Sequence, residues 1–140
     1  MTIHLSADGR TGGLVFIGGA AGAFLRWAFT VDTGVDGSLW PLLVINLLGA
    51  MLMGTLVGYL PVVQDTARRA RLKATLGTGL LGGFTSYSAI AAAAVLDADN
   101  VVTAVVYVVG TVVTGVLLAR AGVWCGERLH TGDEGAGAES

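Results

Sequence analysis

Charged residues are missing from long stretches of the chain, and this constrains the fold more than any other feature. Residues 41–60, 74–96 and 101–119 contain no Asp, Glu, Lys or Arg, and residues 12–30 contain one charge, Arg26. Each run approaches the ~20 residues needed to cross ~30 Å of hydrocarbon. Charged residues make up 13% of the chain, whereas about 25% is usual in a soluble domain. The sequence therefore predicts an all-α membrane protein with four transmembrane helices.

The predicted helices form one domain between two polar tails. They are predicted at residues 12–31, 40–61, 73–96 and 100–126. The transmembrane domain, residues 12–128, is preceded by a polar tail, residues 1–11, and followed by an acidic tail, residues 129–140, which is predicted to be disordered. No HExxH, CxxC, GxSxG or P-loop motif occurs in the sequence, so we expect neither an enzyme nor a nucleic-acid partner.

The basic residues are distributed unequally between the two ends of the predicted helices. Seven of the eight fall on one side of a four-helix topology, and Arg26 is the exception. The seven are Arg10, Arg68, Arg69, Arg71, Lys73, Arg120 and Arg128. The positive-inside rule therefore predicts that both termini and the 62–73 loop are cytoplasmic.

Two polar side chains within the predicted spans each have two interpretations. Arg26 would either extend to the outer headgroups or place a cation at the mouth of an anion path. Asn46 is the only amide in the four charge-poor runs, and it would either bond between helices or present an N–H donor to a pore. The spans contain no Asp or Glu, which argues against proton-coupled cation transport. An anion path fits this set of donors better.

Glycine spacing predicts where helices pack and where one of them breaks. Pairs four residues apart predict close packing within the subunit or a dimer. These pairs are Gly18 with Gly22 and Gly54 with Gly58. The stretch TLGTGLLGGFTSYSAI, residues 75–90, combines Gly82 and Gly83 with hydroxyls near mid-membrane. Because glycine tolerates unusual dihedral angles and hydroxyls satisfy freed backbone groups, we predict a broken helix here rather than a continuous, tightly packed one.

A hydroxyl-bearing face is predicted on the fourth helix. Tyr107, Thr111 and Thr114 share this face because their spacings are four and three residues. Each threonine would either bond the carbonyl four residues earlier in its own helix or contribute to a ladder of hydroxyls along a pore. The spacing alone leaves both alternatives open.

Three motifs taken together resemble the Fluc (CrcB) family of fluoride channels. Helix 1 carries GGAAGAFLRW, helix 2 carries INLLGAMLMG, and helix 3 carries GTGLLGGFTSYSAI. They are similar to the family patterns G-G-x-x-G-A-x-x-R, N-x-x-G-x-x-x-x-G and G-x-x-G-G-(L/F)-T-T-F-S-T-F, and the match covers about residues 14–126. The resemblance implies a fluoride-specific, multi-pass ion channel of the bacterial plasma membrane that passively exports cytoplasmic fluoride and lowers its toxicity.

The resemblance also implies an assembly and a set of site residues. It implies an antiparallel, dual-topology dimer in membrane lipid, with helix 3 broken near mid-membrane and fluoride pores at the interface. The backbone carbonyls of Gly82 and Thr85 are implied to hold a structural sodium ion that is not transported. The implied fluoride-pore residues are Arg26, Asn46, Ser86, Tyr87, Ser88, Ile90, Tyr107 and Thr111.

Helix 3 departs from the family pattern at its second half. The family's T-T-F-S-T-F reads TSYSAI here, so that Tyr87 replaces one ring, Ile90 removes the other, and Ala89 removes a hydroxyl. The bias of basic residues also favours one orientation in the membrane. Both observations favour a heterodimer with an oppositely oriented paralogue, in which this chain is a non-conducting or half-active subunit. A small four-helix drug or cation exporter is a further alternative.

Overall fold

The computed structural model describes residues 9–31, 40–88, 91 and 101–136, with side chains as far as Leu129. Within these residues the secondary structure is helical and includes no strand. The helices are α1 (Gly9–Thr30), α2 (Trp40–Tyr59), a 3₁₀ turn (Leu60–Val62), α3 (Thr66–Leu72), a π-helix (Lys73–Leu81), α4 (Gly82–Phe84) and α5 (Val101–Ala136). The predicted all-α class is confirmed.

Three of these helices are long and apolar enough to cross a membrane. They cover Gly9–Thr30, Trp40–Val62 and Val101–Leu129. Large apolar side chains on them are exposed, such as Phe16 at 76% and Val101 at 79%, as suits helices whose solvent is lipid. The chain is therefore a membrane protein, as predicted. The second half of the predicted third span lies mostly outside the described residues.

The third helical segment, residues 66–84, begins before the predicted span 73–96, and part of it is wound more loosely than an α-helix. Asp65 caps α3 by accepting a hydrogen bond from the Ala67 N–H at 2.8 Å. The helix then passes into π geometry, in which the Gly82 N–H bonds the Gly77 carbonyl five residues earlier. A π-helix of nine residues is unusual, because π geometry normally occurs as single turns, often at functional sites. No pattern noted above in the sequence indicates this π-helix.

Close glycine contacts join α2 to α5. A Cβ atom at Gly54 or Gly58 would overlap the carbonyl oxygen of Ala119 or Val123, respectively. The contact is reciprocal, because Cβ atoms at Gly122 and Gly126 would overlap the Met51 and Thr55 carbonyls. The structure confirms that the Gly54 pair serves helix packing. Gly122 and Gly126 have the same four-residue spacing in the sequence as Gly54 and Gly58.

Close glycine contacts also join α1 to the third helical segment, residues 66–84. Gly18 and Gly22 face the carbonyl oxygens of Thr75 and Leu80, and neither position has room for a Cβ atom. From the opposite side, Gly83 approaches the Gly19 carbonyl equally closely. The predicted packing role of Gly18 and Gly22 is confirmed, and α4 is thereby held against α1.

The C-terminal helix is longer than predicted. Helix α5 continues to Ala136, beyond the predicted end at residue 126 and into the segment predicted to be disordered. No proline interrupts residues 101–136, although Gly132 and Gly135 are poor helix formers. The backbone of residues 129–136 is helical, within the tail for which the sequence predicts disorder.

Candidate functional site

The helical path ends abruptly at Phe84. Thr85 is extended, with φ −85° and ψ 150°, and residues 87–88 are helical again. The Thr85 N–H still bonds the Leu81 carbonyl at 3.0 Å, and the Thr85 hydroxyl donates to the same carbonyl at 2.9 Å. The Thr85 hydroxyl therefore reinforces the last backbone hydrogen bond of the helix. The backbone leaves helical geometry at Thr85 itself.

One peptide group at this point is held from two sides by side chains. The Thr85 carbonyl accepts from Arg26 Nη1 at 3.4 Å, and the Ser86 N–H donates to Asn46 Oδ1 at 2.9 Å. These are the two polar atoms of the single Thr85–Ser86 peptide. Arg26 comes from α1 and Asn46 from α2, so two helices fix the orientation of this peptide. We call this arrangement the peptide clamp.

Most of the bonding capacity of Asn46 is occupied within the subunit. Its Oδ1 accepts from Ser86, and its Nδ2 donates to the Leu42 carbonyl at 2.7 Å. An amide group carries two N–H donors, so one N–H remains beyond these bonds. The bond to Ser86 corresponds to the first alternative for Asn46, a bond between helices. Donation to a pore remains a prediction that rests on the second N–H.

A cavity of about 260 Å³ adjoins the peptide clamp. Four of its lining residues belong to α2, namely Asn46, Gly49, Ala50 and Met53. The other two, Leu81 and Thr85, lie at the end of the third helical segment and directly after it. A Cβ atom at Gly49 would overlap the Thr85 methyl group, so glycine here lets Thr85 reach the cavity. The wall is mainly apolar, with Asn46 and Thr85 as the polar exceptions. Such a pocket can offer a small ion a few fixed polar groups on an apolar surface.

The residues that follow Thr85 in the chain differ in how far their side chains are exposed. Ser86 is half-buried, and its hydroxyl lies 3.2 Å from the Ser88 hydroxyl, with which it shares a hydrogen bond. Tyr87 is 66% exposed in the single chain. Ile90, which was predicted to line the pore, lies outside the described residues, as does Ala89. The structure thus brings Ser86 to the clamp and leaves Tyr87 at the surface.

The predicted residues of the fourth helix lie on α5. Thr111 is buried, at 8% exposure, and its hydroxyl donates to the Tyr107 carbonyl at 2.7 Å. This is the local bond to the carbonyl four residues earlier, one of the two alternatives given above. Thr114 is exposed. Helix α5 packs chiefly against α2.

The two carbonyls predicted to hold sodium differ in their surroundings. Gly82 is exposed and Thr85 is half-buried. The Thr85 carbonyl already accepts the hydrogen bond from Arg26. Among the described residues, no cluster of three His, Cys, Asp or Glu side chains could hold a metal.

Comparison with known proteins gives consistent matches along the chain. The family model described as CrcB-like protein, Camphor Resistance (CrcB), matches residues 13–123. The fluoride-specific ion channel FluC 2 of Corynebacterium jeikeium is 39% identical, over 84% of this chain and 79% of its own length. FluC 1 of Rhodococcus jostii is 38% identical, over 82% and 84%. FluC 2 of Bacillus subtilis is 35% identical, over 82% and 86%.

Proposed function

This chain belongs to the CrcB family, and we infer that it is a fluoride-specific ion channel through which cytoplasmic fluoride leaves the cell passively. The observation that carries the inference is the peptide clamp beside a mainly apolar cavity. It brings a cation and an amide, carried by two helices long enough to cross a membrane, to an extended backbone segment. The four spans predicted from the sequence, residues 12–31, 40–61, 73–96 and 100–126, contain no carboxylate that would make this a cation path.

The chemistry of fluoride suits these groups. Fluoride is small and strongly hydrated, so a dry path must replace its water with short hydrogen bonds from fixed donors. The second Nδ2 hydrogen of Asn46 and the hydroxyls of Ser86 and Ser88 are donors of this kind. The ring edge of Tyr87 is positively polarised and also attracts an anion. Larger halides gain less from such short contacts, so these groups favour fluoride.

Arg26 supplies positive potential to the same place. Its guanidinium is half-buried and directed to the Thr85 carbonyl. A charge in a low-dielectric surrounding acts over a longer distance than it does in water, and it raises the local concentration of anions. Arg26 therefore attracts fluoride to the cavity while it also holds the peptide. Tyr107 and Thr111 form part of the wall of the path on α5.

We propose the antiparallel, dual-topology dimer as the conducting assembly. The extended backbone at Thr85 supports a third span that is broken near mid-membrane. In this proposal the carbonyls of Gly82 and Thr85 bind a structural sodium ion. One chain offers two such oxygens, so a four-oxygen site requires a second chain. The sodium ion would contribute positive charge that fixes the two broken helices against each other.

The orientation of the chain is part of the same proposal. The protein is placed in the bacterial plasma membrane with both termini and the 62–73 loop in the cytoplasm, because seven of eight basic residues favour that side. This bias keeps one second candidate: a half-active or non-conducting subunit, paired with an oppositely oriented paralogue. In that case the chain would need its partner before fluoride moved.

Fluoride efflux from liposomes that contain this chain alone tests the proposal. We expect rapid fluoride efflux with little chloride efflux, and we expect Asn46→Ala to abolish it. Thr55→Ala is the matched control, because Thr55 also lies on α2 and bonds the carbonyl four residues earlier, at 3.0 Å, away from the clamp.

The possible outcomes separate the candidates. Efflux that survives Asn46→Ala unchanged, or equal efflux of chloride, would overturn the proposed site. Efflux that appears only when a paralogue is co-expressed would establish the heterodimer. Efflux lost equally in Thr55→Ala would show that the Asn46 effect reports on helix packing rather than on fluoride binding.

A further inference from the structure

The turn between α2 and α3 encloses a second groove, of about 380 Å³. It is lined by Tyr59, Val62, Val63, Gln64, Asp65, Arg68 and Leu72. The apolar span Trp40–Val62 ends at this turn, so the groove lies where hydrocarbon gives way to lipid headgroups. We call it the headgroup groove.

Backbone and side-chain bonds hold the walls of this groove in place. The Val63 N–H bonds the Leu60 carbonyl at 3.1 Å, which closes the 3₁₀ turn. Arg69 Nη2 donates to the Pro61 carbonyl at 2.7 Å and ties α3 back to the turn. Asp65 is occupied with capping α3. The groove is therefore formed before any ligand arrives, which lowers the entropic cost of binding.

The charge around the groove is strongly positive. Arg68, Arg69, Arg71 and Lys73 are all exposed, within one helix and the residue that follows it. Asp65 is the one acidic residue in the lining. Such a cluster attracts anionic lipid to this side of the protein.

The lining of the groove separates polar groups from apolar ones. Arg68, the Tyr59 hydroxyl and the Gln64 amide are hydrogen-bond donors, and Arg68 can give two parallel bonds to one phosphate. Val62, Val63 and Leu72 form the apolar part. A ligand that fits both parts has a phosphate joined directly to hydrocarbon.

We propose that the headgroup groove binds one anionic phospholipid, with its phosphodiester on Arg68 and the upper part of its acyl chains against Val62, Val63 and Leu72. The lipid is the favoured source of phosphate because the groove opens at the end of a transmembrane span. The site is separate from the peptide clamp and does not depend on fluoride conduction.

Native mass spectrometry of the full chain, titrated with phosphatidylglycerol or phosphatidylcholine, tests the proposal. We expect tighter binding of the first lipid, and Arg68→Gln should weaken it at least fivefold. Arg71→Gln is the matched control: it removes the same charge from the same exposed helix, but Arg71 does not line the groove. We expect less than a twofold change in that variant. Arg68→Lys should bind with intermediate affinity, because it keeps the charge and loses the paired bonds.

Three results would overturn the proposal. Equal weakening by Arg68→Gln and Arg71→Gln would show diffuse attraction to the surface without a site. Equal affinity for the two lipids would show that the groove does not distinguish an anionic headgroup from a zwitterionic one. Displacement of the lipid by millimolar inorganic phosphate would assign the groove to free phosphate. Asn46→Ala should lose fluoride efflux and keep lipid binding, so a failure here is distinct from a failure of the channel proposal.

Discussion

Glycine-to-carbonyl contacts join two pairs of helical segments, α2 with α5 and α1 with residues 66–84, but the two pairs differ in regularity. In the α2–α5 pair, glycines on both helices meet carbonyls of the other, and both helices keep α geometry throughout the contact. In the α1 pair, the partner is wound as a π-helix, and it leaves helical geometry at Thr85, soon after its last glycine contact. The first pair forms a regular wall. The second brings an irregular segment to a fixed position, where the peptide clamp holds it.

The largest expected effect breaks the regular pair. Gly54→Val should destabilise the α2–α5 contact by at least about 3 kcal/mol, because the new side chain meets the Ala119 backbone and not a movable side chain. Gly110→Val on α5 is the control, since no atom lies within 4 Å of a Cβ at that position. Unfolding in mixed detergent micelles measures both. Equal stability of the two variants would contradict the close contact.

The next effect separates the clamp from the wall. Asn46→Ala should speed amide hydrogen exchange of Ser86 about tenfold or more, since the N–H loses its partner at 2.9 Å. Stability of the α2–α5 pair should change by less than about 1 kcal/mol. Thr55→Ala should leave exchange at Ser86 unchanged. Slow exchange in Asn46→Ala would mean that another group holds this N–H.

A smaller effect is expected on the other side of the clamp. Arg26→Gln should lower fluoride efflux about fivefold, because it removes a charge near the cavity but keeps a donor for the longer bond to Thr85. Arg26→Lys keeps the charge and should retain most of the efflux. Efflux measured at low and high ionic strength distinguishes the roles. If Arg26 only reaches to the outer headgroups, neither variant will change efflux.

The smallest effect concerns the regular wall. Thr111→Val should change efflux less than about twofold and stability by about 0.5 kcal/mol, since the hydroxyl donates its proton to the Tyr107 carbonyl. The fluoride-electrode assay and the unfolding assay measure the two quantities. A tenfold loss of efflux would instead support a hydroxyl ladder along a pore, and it would give the wall a direct part in conduction.

The regular parts of the molecule were the most predictable from sequence. Runs without charge predicted the spans, and four-residue glycine spacing predicted the packing at Gly18, Gly22, Gly54 and Gly58. Both signals are periodic and local. The two interpretations given to Asn46 were also visible, because a lone amide in an apolar span requires a partner.

The irregular parts were less predictable, because they depend on contacts between distant residues. Nothing local shows that Asn46 meets a peptide 40 residues later in the chain, or that Arg26 meets the same peptide 59 residues later. The π-helix has no simple sequence pattern either, and it packs chiefly against α1. Sequence identified the participants in the clamp, whereas only the fold shows that they share one peptide.

The glycine contacts also have a thermal consequence. Each glycine carries a hydrogen atom in the direction where a Cβ would stand, and at these positions that hydrogen points to a carbonyl oxygen. Such Cα–H···O contacts are worth about 0.5–1 kcal/mol each. The hydrophobic effect contributes little to the association of helices in lipid, and it weakens on cooling. Adhesion between these helices is therefore chiefly enthalpic, and it should tighten in the cold, where a soluble protein's core loosens.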